Sequence, residues 1–257
     1  MKAEKKTLND KYMKKVLLLI VAMLVSIAMS AQFNQMSLMT PHYYPGEVYF
    51  VDGTHESYDE VELPKNNEKK ISVKANKDDK KRTVLDAANI IAVKLWHPKF
   101  PDKVHVLHYL RVEKKALLKE SYWGNPVYAN RWGALYQCDS FYEINKKTGD
   151  LEVVKFVDQY GSETATMCLL KRPGKEEADV LFAVSRSDKQ WFLGKKKVAE
   201  VFVENQEIYE GMRAGKFRPD DIVYIMETMA GGEENGTPAE PTVETEQGAN
   251  GEVGDDE

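Results

Sequence analysis

Residues 46–63, GEVYFVDGTHESYDEVEL, decide the fold class of this chain. Residues 47–51 are rich in Val, Tyr and Phe, which favour extended strands. Asp52-Gly53 follows, and these two residue types tolerate the positive φ angles of a type I′ turn. The returning segment is polar at residues 54–57 and more apolar towards Leu63. The stretch therefore predicts a β-hairpin whose second strand is exposed on one face or at one end.

A second hairpin is predicted further along the chain. Apolar and polar residues alternate at 71–75, as in a half-buried strand, and a charged loop follows at 76–82. Residues 90–96 and 104–112 are mostly β-branched or aromatic. Two such segments, joined by a short link that contains Pro and Asp, predict a pair of antiparallel strands.

Residues 134–185 contain four more strand-like segments, at 134–144, 151–157, 164–170 and 180–185. Turn-forming residues lie at the connections, at 145–149, 161–162 and 173–174. Strands that are this short and this close together predict an antiparallel meander.

After residue 187 the apolar residues recur at spacings of three and four, which is the period of a helix. They are Val198, Val201, Phe202, Ile208, Met212, Ile222, Ile225 and Met226. Asn205 is suited to cap a second helix and Gly215 to end it. Pro219, with Asp220 and Asp221, suits the first turn of a third helix. We therefore expect a compact helical end.

These patterns predict an α+β protein whose body is mainly antiparallel β-sheet, either a meander or a partly open barrel. The predicted segments are a signal peptide at 1–31, a linker at 32–45, a β-rich domain at 46–186, a helical C-terminal segment at 187–229 and a disordered acidic tail at 230–257. Met13 is an alternative start, in which case residues 1–12 are not native. The composition of the tail includes almost no large apolar residue, too little to offset the entropy of ordering a chain.

Residues 13–31, MKKVLLLIVAMLVSIAMSA, have the order of a secretory signal: a basic start, an apolar run and a small-residue exit. An uncleaved membrane anchor or a buried core helix is the alternative, but a spanning helix needs ~20 apolar residues. Ala28 and Ser30 fit cleavage after Ser30, with a cut after Ala31 as the alternative. The first cysteine is Cys138, so we do not expect a lipoprotein. The predicted location is periplasmic or extracellular, with no stable transmembrane segment after processing.

Charge is distributed unevenly along the chain. Residues 230–257 contain nine acidic residues and neither Lys nor Arg. Residues 32–229 contain 30 basic and 30 acidic residues, so the body is neutral and offers no extended attraction for nucleic-acid backbones. We do not expect nucleic-acid binding. The tail is interpreted as a solubilising end or, alternatively, as an interaction arm for basic or cation-bearing surfaces.

A resemblance rests on residues near both ends of the mature body. They are the hairpin at 46–53 after a signal, Val201-Phe202, Ile208, Gly215-Lys216-Phe217 and Asp220-Asp221-Ile222. In these features the chain resembles exported bacterial proteins of unknown function. The resemblance implies export and a β-rich body before a short helical end, and it implies no catalytic residue.

The common catalytic and nucleotide-binding motifs are absent from the sequence. It contains no H-E-x-x-H, G-x-S-x-G, G-x-x-x-x-G-K-[ST] or G-x-G-x-x-G. The five histidines are His42, His55, His97, His105 and His108. His105 and His108 are the nearest pair, but residues three apart on a strand point to opposite faces. We therefore predict no catalytic, cofactor-binding or metal-ligating residue, and no cofactor.

Cys138 and Cys168 could form a disulfide in an oxidising compartment. In the predicted meander they lie on the first and third of three consecutive strands, roughly 9.6 Å apart. Bonded cysteines need Cα atoms within about 7 Å. The prediction is two buried free thiols.

Aromatic residues give the one functional hint. Residues 113–132 are interrupted by Gly124, Asn125 and Pro126, so we expect an irregular region. The aromatics in this region and in the linker are Tyr43, Tyr44, Tyr122, Trp123, Tyr128 and Trp132. Exposed rings could stack on a sugar or a peptide, whereas packed rings would close the ends of the β core.

Two functions from different classes follow. The first is a non-enzymatic envelope protein whose β body is an interaction or assembly module, with an envelope protein as its partner. The second is a small-molecule binder, for a sugar, lipid or peptide, or a hydrolase. In this second hypothesis the β body encloses a pocket and residues 122–132 form its mouth.

Overall fold

The computed structural model describes residues 40–113, 118–155, 164–185 and 188–231. The predicted signal at 13–31, most of the predicted linker and nearly all of the acidic tail lie outside these ranges. Within them, one open antiparallel sheet of eleven strands is accompanied by a two-stranded hairpin and a helical C-terminal segment. The predicted α+β class, dominated by antiparallel sheet, is confirmed.

Thirteen strands occur in the described residues. They are β1 (Tyr43–Phe50), β2 (His55–Glu62), β3 (Lys70–Lys74), β4 (Thr83–Asp86), β5 (Ile90–His97), β6 (Phe100–Arg111), β7 (Ser121–Asn130), β8 (Gly133–Cys138), β9 (Tyr142–Ile144), β10 (Leu151–Val153), β11 (Thr166–Lys171), β12 (Asp179–Ser185) and β13 (Asp188–Trp191). The large sheet has the order β13-β12-β11-β8-β7-β6-β5-β1-β2-β3-β4, and β9 pairs only with β10. Strand β1 thus begins inside the predicted linker, and β13 lies inside the predicted helical segment.

The first hairpin is confirmed, but its predicted turn type is wrong. Gly53 has φ 83°, whereas Asp52 is not in the left-handed region, and a type I′ turn needs positive φ at both residues. The Gly53 amide donates to the Phe50 carbonyl and the Phe50 amide to the Thr54 carbonyl. These bonds are typical of a three-residue loop that ends in a left-handed glycine. The first part of β2 is exposed and its end is buried, as predicted.

One face of the N-terminal half of the sheet is covered by the β9–β10 hairpin. The register places Val48 opposite Val93 and Val61 opposite Val73, so apolar side chains share this face. The buried members of this hairpin-covered core include Tyr44, Val48, Val61, Leu63, Ile71, Val73, Val93, Leu95, Leu107, Trp123, Tyr142 and Ile144. Trp123 is fully buried, and its indole N–H donates to the Glu68 carbonyl at 2.9 Å.

The second hairpin, β5–β6, is confirmed with a shorter connection than predicted. His97 pairs with Phe100, so Pro98 and Lys99 make the turn and most of the expected link belongs to β6. The charged loop at 76–82 is exposed throughout, as predicted.

The prediction that residues 113–132 are irregular is wrong, because Ser121–Asn130 is a central strand. Gly124 and Pro126 suggested a break, but each has a specific place in the sheet. A Cβ on Gly124 would lie 2.7 Å from Cys138 Sγ and 3.0 Å from Leu110 Cδ1, so glycine permits close packing. Pro126 lies where the β7–β8 register shifts, and such bulges tolerate a residue without an N–H.

The simple meander is also wrong in its strand order. The predicted strand at 134–144 divides into β8 and β9, because the chain turns at Asp139. The Asp139 side chain accepts hydrogen bonds from Gln137 and Thr166, and its amide donates to the Tyr142 hydroxyl. The β9–β10 hairpin thereby leaves the sheet, and β8 pairs directly with β11.

The C-terminal half of the sheet curls on itself. Strands β6 and β12 are separated by three strands in the sheet order, yet the Ala178 amide donates to the Arg111 carbonyl at 2.7 Å. Val112 and Ala178 form a parallel bridge at the same point. The sheet is open overall, and only this end has the curvature of a partly open barrel. The inner core inside the curl consists of Leu110, Val112, Tyr122, Tyr136, Cys138, Leu169 and Ala178.

The opposite face of this half is covered by the helical segment, in helices α1 (Lys195–Ala199), α2 (Gln206–Ala214) and α3 (Ile222–Met229). Asn205 caps α2 by accepting from the Ile208 amide, and Gly215 ends it at φ 81°, as predicted. Pro219 opens a 3-10 turn that leads into α3. The buried helix residues of this helix-covered core are Val198, Ala199, Phe202, Ile208, Met212, Ile222, Ile225 and Met226. Among the described residues no helix has both the length and the apolar character needed to cross a membrane.

Candidate functional site

Two cavities meet at Arg172, where the β7–β8 and β11–β12 loops lie beside the helical segment. Together we name them the Arg172 cleft. The smaller one, the basic lobe, has a volume of about 430 Å³ and is lined by Arg131, Trp132, Arg172, Pro173, Gly174, Lys175 and Glu204. The larger one, the apolar lobe, has a volume of about 590 Å³. Cavities of this size accommodate a small ligand or a few side chains of a partner.

The apolar lobe is lined by apolar and charged residues in equal number. Its apolar residues are Val112, Leu118, Ala178, Val180, Phe192, Leu193, Val198 and Val201. Its charged residues are Glu113, Arg172, Lys175, Glu176, Glu177, Asp179, Lys197 and Glu200. Leu193 has φ 57° and a side chain that is 51% exposed, two unfavourable features for a leucine. Such strain occurs at functional sites more often than elsewhere.

The pairing of β8 with β11 brings the two cleft loops together. Ala134 pairs with Lys171, so the residues just before β8 lie beside those just after β11. A Cβ on Gly133 would lie 2.9 Å from the Lys171 carbonyl oxygen, and glycine therefore permits this close approach. The Asn130 side chain accepts from the Trp132 and Gly133 amides and donates to the Met226 carbonyl at 2.9 Å. The β7–β8 loop is thus fixed to α3.

Arg172 forms the wall shared by the two lobes. Its Nη2 lies 3.2 Å from Asp179 Oδ2, and its Nη1 lies 3.2 Å from Glu204 Oε1. The side chain is only 11% exposed, so these ion pairs hold the guanidinium in place. Among the hydrogen bonds of the described residues, its buried Nε has no acceptor. A buried donor without a partner costs stability.

Trp132 provides the aromatic wall of the basic lobe. Its ring is half-buried and stacks on Phe202, with centroids 5.4 Å apart and planes at 24°. The Arg172 guanidinium carbon lies 5.6 Å from the centre of the Trp132 ring. The Phe202 ring of the helix-covered core, the Trp132 ring and the Arg172 guanidinium therefore form one continuous stack. This wall of the cleft is already in place before a ligand binds.

The β11–β12 loop is held by Lys171, which ends β11. Its ammonium donates to the carbonyls of Lys175 and Glu176, the latter at 2.6 Å. Partial burial lowers the pKa of Lys171 below its usual range. Gly174, at φ 72°, makes the predicted Pro-Gly turn.

Most of the aromatics singled out by the sequence are packed rather than exposed. Tyr44, Tyr122, Trp123 and Tyr128 are buried in the three cores, so the alternative that they close the β core is confirmed. Tyr43 is half-buried under the Arg82 guanidinium, 3.9 Å from its ring centre. Of these six aromatics, Trp132 lines the basic lobe, and Arg131 and Trp132 are the residues of the predicted mouth at 122–132 found in its lining.

The histidines do not converge. His105 and His108 point to opposite faces of β6, as predicted. His105 Nε2 lies 2.7 Å from the Gly149 carbonyl oxygen, whereas the His108 ring contacts that of Tyr136 at 5.2 Å. Searched over the described ranges, the structure has no group of three His, Cys, Asp or Glu residues placed to bind a metal.

Cys138 and Cys168 are both buried and free, as predicted, but the argument from strand order is wrong. Their strands are direct neighbours, and Cys138 pairs with Met167 whereas Cys168 pairs with Gln137. This offset of one residue places the two thiols on opposite faces of the sheet. Cys138 belongs to the inner core and Cys168 to the helix-covered core, so they cannot form a disulfide.

The polar groups inside the curl are kept neutral by burial. Burial lowers the pKa of His108 to about 4 and raises the pKa of Tyr136 to about 12. It also raises the pKa of the Cys138 thiol well above its usual range. A thiol in this state is a poor nucleophile, which argues for a packing role.

Sequence reasoning missed Arg172, the centre of the cleft. The available signal was the placement of an arginine between an apolar strand and the Pro173-Gly174 turn. That pattern indicates a charged side chain at the end of a buried strand. Glu204, which holds it together with Asp179, lies 32 residues away and shares no motif with it.

Comparison of the chain with protein-family models, with curated proteins and with solved structures found no match.

Proposed function

We propose that this chain is an exported envelope protein that acts as a non-enzymatic interaction module and binds its partner through the Arg172 cleft. The observation that supports this most is the preorganised wall of Arg172, Trp132 and Phe202 between two open cavities. Rings and guanidinium groups that are held in place lose little entropy on binding, and they dominate many interfaces.

The lining of the cleft favours binding over covalent catalysis. Its described lining residues supply carboxylates, basic groups, aromatic rings and aliphatic side chains, but no thiol, imidazole or hydroxyl. The two thiols and His108 lie instead in buried positions away from it. A surface that combines charged and apolar residues suits a protein partner whose segment presents both kinds of group.

Export is part of the same proposal. It is supported by the basic start, apolar run and small-residue exit of residues 13–31. The location proposed for the mature protein is the periplasm or the extracellular space. The intact mass of the chain recovered from the envelope fraction would test this, because cleavage after Ser30 or Ala31 gives a defined mass, whereas an unprocessed chain would contradict export.

Photocrosslinking from the cleft would test the binding surface. A benzophenone amino acid replaces Lys197, which lines the apolar lobe, and Lys196 is the matched control, since it is exposed on the same helix but does not line the lobe. We expect a discrete protein adduct from position 197 in intact cells. Equal adducts from both positions, or none from either, would remove the cleft as the interface.

A second candidate, a small-molecule binder, is favoured by the volume of the larger lobe, about 590 Å³, and by the eight apolar residues in its lining. Native mass spectrometry of the protein released gently from its envelope distinguishes the two. A retained mass of a few hundred daltons would favour the small molecule, and a protein complex would favour the module.

A further inference from the structure

We propose that the acidic C-terminal segment, residues 233–257, docks in the basic lobe of the Arg172 cleft and competes with external ligands for it. The basic lobe is lined by three positive side chains, Arg131, Arg172 and Lys175, and these face two carboxylates, Glu204 in the lobe and Asp179 beside it. It is therefore the lobe that suits an anionic occupant.

The position at which the described chain ends supports this occupant. Helix α3 is followed by Ala230 and Gly231, and a Cβ on Gly231 would lie 2.5 Å from Arg131 Nη2. The backbone thus reaches a wall of the basic lobe at the last described residue. Glu233 and Glu234 follow within three residues, and at about 3.3–3.6 Å per residue they reach the lobe without a long loop.

The composition of the segment matches the charge of the lobe. Residues 233–257 contain nine Asp or Glu residues and neither Lys nor Arg. A segment tethered this close to its site has an effective concentration of about the millimolar range. Even weak charge pairing between the tail and the lobe then competes with an anion that is free in solution. This pairing weakens as the salt concentration rises.

The regulatory consequence rests on the proposed function, whereas the docking does not. If the partner binds through the Arg172 cleft, the docked tail occupies part of the same surface and lowers the apparent affinity for the partner. The partner would then have to supply anionic groups of its own in place of the tail carboxylates.

Zero-length carbodiimide crosslinking of the purified full chain tests the docking directly. The reagent joins a lysine amine to a carboxylate in contact with it, and peptide mapping identifies both residues. We expect Lys175 to crosslink to residues 233–257 at low salt at least five-fold more than Lys147, an exposed lysine in the β9–β10 turn. Crosslinking should fall several-fold in 0.5 M salt.

Surface variants provide the controls, because none of them removes a buried group. Arg131→Gln should lower the Lys175 crosslinks several-fold, whereas Lys147→Gln should leave them unchanged. Lys175→Arg keeps the charge and removes the amine, so it identifies the crosslinked residue. Equal crosslinking at Lys147 and Lys175, or insensitivity to Arg131→Gln, would overturn the proposal. No partner is present in this experiment, so its outcome is independent of the cleft's role as an interface.

Discussion

The two halves of the sheet bury their apolar faces in different ways. The N-terminal half is covered by the β9–β10 hairpin, which contributes Tyr142 and Ile144 to a core that surrounds Trp123. The C-terminal half is covered by three helices on one face and curls around an inner core on the other. Both cavities of the Arg172 cleft lie at the junction of loops and helices in this second half.

The two kinds of cover leave different surfaces. Tyr142 and Ile144 of the hairpin are buried against the sheet. Charged residues such as Arg172 and Glu204 lie where the helical segment meets the β7–β8 and β11–β12 loops, and the two cavities open there. Four substitutions test this contrast.

Removing the ring at the centre of the hairpin-covered core should have the largest effect. Trp123→Ala deletes a fully buried indole and leaves the Glu68 carbonyl without its donor. We expect a loss of about 3–5 kcal/mol in the free energy of unfolding, measured by urea denaturation. Hydrogen exchange should quicken throughout the N-terminal half. A loss below 1 kcal/mol would contradict the central position of Trp123 in this core.

Gly124→Ala tests the close packing between β7 and the inner core. The added methyl would lie 2.7 Å from Cys138 Sγ, so we expect a loss near the upper end of about 1–3 kcal/mol. Adding Cys138→Ala removes that contact and should recover part of the loss in a double-mutant cycle. Strictly additive effects would contradict the packing of Gly124 against Cys138.

His108 should make the curled half sensitive to acid. Burial lowers its folded pKa to about 4, below an unfolded value of about 6.5. Stability is therefore full above pH 6.5 and is lost as the pH falls towards 4. The His108 ring is partly accessible, so we expect its protonation to cost about 2 kcal/mol of stability. His108→Gln should remove this acid-dependent loss. The control is His55→Gln, on the exposed part of β2, which should not. Parallel pH profiles for wild type and His108→Gln would contradict this assignment.

Arg111→Gln should have the smallest effect. The Arg111 side chain pairs with Glu176, and both are largely exposed, at 60% and 73%. Exposed ion pairs contribute little, so we expect a change within about 0.5 kcal/mol. The curl depends on the backbone bond from Ala178 to Arg111, which this substitution leaves intact. A loss above 1 kcal/mol in the free energy of unfolding would show that the Arg111–Glu176 ion pair contributes substantially to holding the curl.

Much of the fold followed from local patterns. The β1–β2 and β5–β6 hairpins, the Asn205 cap, the Gly215 helix end and the apolar helix faces all reflect interactions between residues fewer than 20 positions apart. Such interactions can be predicted directly from the spacing of residue types. Buried, free thiols were also predicted, although on a strand order that proved wrong.

The errors share one cause, since each depends on contacts between distant segments. In the sequence alone, Gly124 and Pro126 indicate a break in regular structure. In the sheet, Gly124 packs against Cys138 and Pro126 lies at a register shift. Asp139 ends β8 because Thr166 and Gln137 bond its carboxylate, and Thr166 lies 27 residues away. The candidate site was missed for the same reason, because Arg172 is defined by Asp179, Glu204 and Trp132 together.

Local patterns in the sequence were thus enough to predict the α+β class, the hairpins, the helices and the charge contrast between a neutral body and an acidic segment. Those properties arise from residue type and local spacing. The pairing of β8 with β11, the curl at Ala178 and the place of Arg172 between two cavities became visible in the folded structure. The physical reason is that pairing and packing are chosen by side chains remote in sequence, whose contacts exist only after the chain has folded.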